Sequence, residues 1–246
     1  EAVSANPTSV EGYRRLGDAW VFRAEFEREA GQESRPSLER ATAALQRAET
    51  LEPSDPGVYN SLGLVQWEYV WRALEHHEDF APAAEAAVKA FSRAVELEPD
   101  YAYAWGNLGT MYNKLAENDL LQGDDPSAHL AQARAAFERC LAIYPDYSTG
   151  VNNLGNVLYF IAESKEARGG DARREYAEAA VMFDRAAELK PDWFVPRFGQ
   201  ARTALALAGA QVRHGESPDE ALGATFAALD EAFARRRSLV HGLLLA

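Results

Sequence analysis

The sequence predicts an all-α protein, an α-solenoid of five helical hairpins, on three observations. Pro7, Pro53, Pro99, Pro145 and Pro191 stand 46 residues apart without a gap. A Leu-Gly pair recurs on the same grid as Leu16/Gly17, Leu62/Gly63, Leu108/Gly109 and Leu154/Gly155, then degenerates to Gln200/Ala201. Midway through each unit a helix-stopping residue, Gly31, His77, Gly123, Gly169 or Gly215, is followed two residues later by an N-cap type. A fixed period of this length is the mark of stacked supersecondary units, each too small to bury its own apolar face.

The units run approximately over residues 5–50, 51–96, 97–142, 143–188 and 189–234, and the whole chain, 1–246, reads as a single domain. In each, a first helix of about 22 residues follows the proline turn and ends at the glycine, which suits a left-handed C-cap. The second helix starts at Asp79, Asp125, Asp171 or Ser217, with Glu33 or Ser34 in the first unit. These are side chains that cap free N–H groups, and Pro126 and Pro218 suit the first helical position. Ser217 and Glu220 have capping-box spacing. Small and apolar columns complete the pattern: Ala41, Ala87, Ala133, Ala179 and Thr225; Leu45, Phe91, Phe137, Phe183 and Leu229; Ala48, Ala94, Cys140, Ala186 and Ala232. A glycine inside a helix costs roughly 1 kcal/mol against alanine, so the Gly109 column is expected to admit a close neighbouring helix.

Trp105-x2-Leu108-Gly109-x2-Tyr112, then Ala133-x3-Phe137, then Pro145 resembles the tetratricopeptide repeat (TPR) signature, complete in the third unit and recognisable in the others. The resemblance covers about residues 5 to 234 and implies a right-handed α-solenoid with a concave surface lined by the first helices. The chain departs from the usual unit of about 34 residues by about twelve. These lie between the Tyr112-type and Ala133-type positions and lengthen both helices at one end of the hairpin. The inserts AEFEREAGQESRPSLERA and AESKEARGGDARREYAEA are similar to extended TPR arrays attached to large bacterial Ser/Thr protein kinases.

What the resemblance implies is a protein-interaction scaffold that binds a peptide or helix of a partner in the groove, as a recruitment module of a larger protein. The alternative is a self-assembly module acting through the solenoid ends or convex face. Four- and seven-residue steps along the first helices put Arg14 and Glu25, Asn60, Trp67 and Trp71, Asn113 and Glu117, Asn152, Asn156, Tyr159 and Glu163, and Arg202 on the groove side, with Lys114 beside them. Asn amides can pair with a ligand backbone while Trp and Tyr supply anchors. The same asparagines, with Asn107 and Asn153, equally serve bonds between helices, and Trp67 and Trp71 equally serve packing. Of the carboxylate clamp found in some chaperone-binding TPRs, only Asn153 and Arg202 fit, so chaperone-tail recognition is set aside. Arg202 and Lys114 remain able to pair with an acidic group.

Net charge is −13 and the isoelectric point is near 4.9, which argue against nucleic acid and anionic membrane as partners and for a basic or mixed-charge segment. Twelve of those charges fall within residues 24–40, 70–86, 116–132, 162–178 and 208–224, so one rim of the array is expected to be acidic. That rim either binds the partner or keeps the long hairpins soluble. No stretch approaches the length of a membrane span and no signal peptide opens the chain, so the expected location is cytoplasmic. A start at Glu1 rather than Met reads as a piece of something longer. Glu75 to Asp79, EHHED, gathers ligand types, but adjacent histidines diverge by about 100° on a helix. Cys140 falls in a packing column. No enzymatic motif, metal or cofactor is expected. At the C-terminus, residues 235–246, Leu239, Val240, Leu243 and Leu244 form an apolar stripe that either caps the last repeat or joins two chains as a homodimer.

Overall fold

A computed structural model describes residues 8–244, with side chains through Ala234. Pro7 and the apolar stripe from Leu239 to Leu244, with the cap or dimer role expected of it, lie outside the described side chains. Ten helices account for the described chain, with no strand among the described residues. First and second helices alternate as α1 (Val10–Glu29) and α2 (Arg35–Leu51), α3 (Pro56–Glu75) and α4 (Ala81–Leu97), α5 (Ala102–Gln122) and α6 (Ser127–Ile143), α7 (Ser148–Ala167) and α8 (Arg173–Leu189), α9 (Val195–Arg213) and α10 (Asp219–Leu244). The fold is therefore all-α and built from repeated helix pairs. The chain divides into two compact units at Asp124/Asp125. The first holds α1 to α5 and the second α6 to α10.

Local chemistry sets the helix ends. Ser9 Oγ accepts the amide of Gly12 at 3.0 Å, and Asp55 Oδ1 accepts those of Gly57 and Val58 at 2.7 and 3.3 Å, so α1 and α3 each begin on a side-chain cap. Ahead of the second helices, Glu33, Asp79, Asp125 and Asp171 each accept the amide two residues on, at 3.0, 2.9, 3.0 and 3.2 Å. In the fifth unit Ser217 bonds Asp219 rather than the Glu220 that capping-box spacing suggests.

Every first helix ends in the same left-handed residue: Gly31, Gly123, Gly169 and Gly215 have φ of 68°, 81°, 79° and 75°, and His77 has φ of 56°. Beside each, the next amide reaches back five residues, as Gln32 to Glu27, Glu78 to Ala73 and Asp124 to Asp119, which closes the turn and satisfies a terminal carbonyl. Only His77 meets the steric cost of this conformation with a Cβ. Replacing His77 by Gly is expected to raise stability by about 0.5–1 kcal/mol, read as a higher urea midpoint at unchanged slope. A Gly123→Ala variant should move the other way.

Packing explains the glycine column. A Cβ on Gly17 would stand 2.5 Å from Leu45 Cγ; on Gly63, 2.6 Å from Phe91 Cδ1; on Gly155, 3.0 Å from Phe183 Cε1. Each close neighbour belongs to the second helix of the same hairpin. The fifth unit shifts the device by two residues: Gly199, not Ala201, meets Phe183, whose ring thus lies between glycines of two successive first helices. Phe91, Phe137 and Phe183 are fully buried, as are Ala41, Ala87, Ala133 and Ala179. Cys140, in no disulfide, is buried in the same layer. Hairpins also stack: Val65 of α3 sits in one cluster with Ala24, Leu38, Ala41 and Leu45 of the first hairpin, with Leu62 and Tyr69 of α3 against it.

The added residues at the hairpin tips stitch successive repeats together. In the first unit Arg28 bonds Glu75 at 2.7 Å, and Arg72 lies 3.1 Å from Glu78 and 3.8 Å from Glu33. In the second, Arg168 pairs with Asp125 at 3.2 Å, Arg173 with Glu216, and Arg213 with Glu166. Arg173 also holds Asp171 well below the usual carboxylate range by donating to it. Much of the acidic charge at the tips therefore has a basic partner within the chain.

Candidate functional site

The first-helix faces of the first unit are joined by side chains. Asn107 of α5 donates to Asn60 of α3 at 3.1 Å, which uses a candidate ligand-binding amide to tie two repeats. Arg14 is half-buried and held by Glu11 at 2.5 Å and Asp18 at 3.4 Å. The Trp71 ring has cations on neighbouring helices, Lys114 Nζ at 5.3 Å and the Arg28 guanidinium at 6.0 Å. Lys114 also donates to Glu117 at 2.7 Å, and Asn113 Nδ2 to the same carboxylate at 3.0 Å. Trp67 and Glu25 are half-buried on this face. Beneath them, Arg28 bonds the buried Glu68 at 2.9 Å. Burial raises the Glu68 carboxyl, Arg28 opposes that rise, and the carboxylates of Glu25 and Glu29 add to it.

In the second unit α7 and α9 form a tighter platform. The Arg202 guanidinium lies 3.9 Å above the Tyr159 ring centroid and donates to Asn156 Oδ1 at 2.9 Å. Tyr159 is buried, rests on Tyr176 of α8 with centroids 5.6 Å apart, and donates its hydroxyl to Glu163 at 2.7 Å. Burial first, then the Glu163 carboxylate, raises the phenol, which stays protonated. Arg202 is exposed and, among the described residues, pairs with no carboxylate. One turn along α7, Asn152 is buried and donates to Asn153 at 3.3 Å, while its Oδ1 receives no hydrogen bond from the protein. Leu205 stands exposed one turn beyond Arg202.

By sequence the chain matches no protein-family model and no curated protein. Its architecture is similar to solved structures along nearly the whole length. A MamA crystal structure superposes with a TM-score of 0.58 at 16% identity, covering 93% of this chain and 94% of that one. YrrB, described as a TPR protein with an unusual peptide-binding site, gives 0.54 at 16% identity over 96% and 91% of the two chains. The chain has the TPR fold. Pseudomonas aeruginosa PilF also aligns, at 0.53 and 15% identity over 93% and 92%.

Within this TPR fold most of the sequence-predicted residues fall into three groups. Asn60 and Arg14 are engaged within the array; Trp71, Lys114, Asn113 and Glu117 form one linked cluster; Asn156, Tyr159, Glu163 and Arg202 form another, with Asn152 one turn along α7; Trp67 and Glu25 are half-buried and belong to none of the three. Asn107 takes the interhelical role that the TPR pattern left open for it. Sequence reading missed Arg28 and Glu68, although Arg28 and Glu75 lie 47 apart, one repeat plus one residue, a spacing that places two side chains on adjacent first helices. Among the described residues no group of three His, Cys, Asp or Glu side chains is placed to hold a metal, and no helix is long and apolar enough to cross a membrane.

Proposed function

We propose that the chain is a protein-interaction scaffold that takes a peptide or helix of a partner protein across its first helices, with the α7–α9 platform as the principal contact. The observation that carries this reading is Asn152. A buried amide oxygen without a donor is costly, by about 1–3 kcal/mol, unless something supplies one, and a ligand's main-chain N–H is the matching group. Arg202, held flat by Tyr159 and Asn156, offers its remaining N–H groups to a ligand carbonyl or carboxylate. Leu205 provides apolar footing. The acidic Glu25, Glu117 and Glu163 on the same helical faces, with the chain's net charge, favour a basic or mixed-charge partner. YrrB, of the same fold, is described as having a peptide-binding site. The setting we infer is a cytoplasmic recruitment module of a larger protein, as the similarity of the inserts to TPR arrays attached to bacterial Ser/Thr protein kinases suggests.

Selecting binders from a displayed library of mixed-charge peptides, then titrating the best by calorimetry, tests this. Arg202→Ala and Asn152→Ala should each weaken binding by about tenfold or more. A Glu25→Gln/Glu117→Gln/Glu163→Gln variant should bind less tightly and lose salt dependence. Affinity indifferent to Arg202 and Asn152 in folded variants would overturn the assignment.

A further inference from the structure

Where the tip of the first hairpin meets the last turn of α3, the chain forms a polar cavity that its own side chains leave unfilled. Its volume is about 320 Å3, far more than the ~10–15 Å3 that a single water needs, and Arg28, Glu33, Ser34, Arg72 and Glu75 line it. Ser34 is 4% exposed, and its hydroxyl, which caps no amide of α2, has no hydrogen-bond partner among the described residues. The repeat register shows how unusual this lining is. The Ser34 column elsewhere holds Phe80, Pro126, Ala172 and Pro218, of which Phe80 and Ala172 are 5% and 1% exposed. At the second junction the positions of Arg28, Ser34 and Glu75 are taken by Leu74, Phe80 and Leu121, an apolar plug. At the fourth, Ala172 and Ala210 stand for Ser34 and Arg72, and Glu166 pairs directly with Arg213. The first junction departs from both by bringing two guanidiniums and an unpartnered hydroxyl to one cavity.

The groups left over define what fits. Arg28 uses Nε on Glu68 and Nη1 on Glu75, and Arg72 uses Nη1 on Glu78, so Nη2 of each half-buried guanidinium keeps its donors. Glu33 Oε1 accepts the Arg35 amide and Glu75 Oε1 accepts from Arg28, so Oε2 of each carboxylate has no donor among the described residues. A lone anion would meet these two carboxylates, with Glu68 and Glu78 behind them. A lone cation would meet both guanidiniums. A ligand that carries both charges answers donors and acceptors together, because hydrogen bonds between ionised groups are the strong ones. The remaining polar lining, Gln32 and His76, has no side-chain hydrogen bond among the described residues and suits a polar rather than an apolar substituent.

We infer that this cavity is a binding site for a small polar α-amino acid, taken as its zwitterion. The ligand carboxylate accepts from Nη2 of Arg28 and Arg72 and from the Ser34 hydroxyl. Its ammonium donates to Glu33 and Glu75. A concave site with a few convergent polar groups is the usual form of a small-molecule site. None of these residues belongs to the α7–α9 platform.

Calorimetric titration of the intact chain with L-serine, L-asparagine and L-glutamine, against L-leucine, acetate and methylammonium, tests the site. At least one of the polar amino acids should bind saturably at one per chain. Leucine and the two half-ligands should bind about tenfold more weakly or worse. Ser34→Phe, which copies the plug at Phe80, should remove binding, and Ser34→Ala should weaken it by about tenfold with unchanged helical circular dichroism. Arg72→Gln should weaken both the amino acid and acetate, whereas Glu33→Gln/Glu75→Gln should weaken the amino acid and spare acetate. Absence of binding by all three polar amino acids would mean that the cavity holds water only. That result, acetate binding as tightly as the amino acids, or binding that survives Ser34→Phe would each overturn the proposal.

Discussion

Replacing Gly63 by Leu should destabilise the first unit by about 3 kcal/mol or more. The backbone of α3 passes so close to α4 that even a methyl group on Gly63 would stand 2.6 and 2.7 Å from Phe91 Cδ1 and Cζ, and nearer still to Cε1. Phe91 is fully buried, so its ring cannot swing into solvent without surrendering roughly 1.5–3 kcal/mol of burial. The interior is close-packed, and forcing extra atoms into it costs about 1–3 kcal/mol through off-rotamer side chains and backbone shifts. Leucine brings three carbons beyond the methyl. Its better helix propensity returns only about 1 kcal/mol, so overpacking wins. Gly223 supplies the control: it lies in α10, and a Cβ there would meet nothing within 4 Å. Gly223→Ala should therefore stabilise by up to about 1 kcal/mol. Urea melts of both variants check the contrast, and a Gly63→Leu variant within 0.5 kcal/mol of wild type would show that the two helices are not packed as described.

The difference between Gly63 and Gly223 also marks what could be read from the sequence. Features fixed by residues adjacent in the chain were legible. The left-handed column through Gly31, His77, Gly123, Gly169 and Gly215 and the capping acids Asp79, Asp125 and Asp171 follow from local sterics and hydrogen bonding. The repeat register then carried the packing columns, because one hairpin repeated fixes which face is inward. Side-chain pairing between repeats was not legible. Asn60 stood as a candidate for a ligand and Asn107 for a bond between helices, and only the placement of α3 against α5 spends the one on the other. Arg202 was read as a groove residue able to pair with an acidic group, whereas its stacking on Tyr159 depends on how α9 lies across α7. The fifth repeat lacks the column glycine, and the compensating Gly199 sits two residues out of register, where a fixed period cannot find it.

The pair Arg28–Glu68 shows the same limit with the larger energetic consequence, and Arg28→Ala should lower stability by about 2–3 kcal/mol at neutral pH. Both side chains are largely withdrawn from water, at 14% and 8% exposure, and Arg28 is the only cation paired with Glu68 among the described residues. Removing one member of a buried pair leaves the other charge uncompensated, which costs about 3–5 kcal/mol when burial is complete; the residual exposure here lowers that. The pH dependence separates this cause from lost packing. Burial already holds the Glu68 carboxyl above its unfolded value, with Glu25 and Glu29 adding to the rise. Without Arg28 it rises further. A carboxyl that binds its proton more tightly in the native state stabilises that state below its unfolded pKa, and the advantage is lost as pH climbs through the native one. The deficit of Arg28→Ala should therefore be small near pH 4, where Glu68 is protonated in the variant, and grow toward pH 7. Arg28→Ala/Glu68→Gln removes the ionisable group and should recover most of the neutral-pH loss while flattening the difference across pH. A deficit that is the same at both pH values, or one that the Glu68→Gln change fails to relieve, would mean that Arg28 acts through its aliphatic stem and its place over Trp71 rather than through the buried charge.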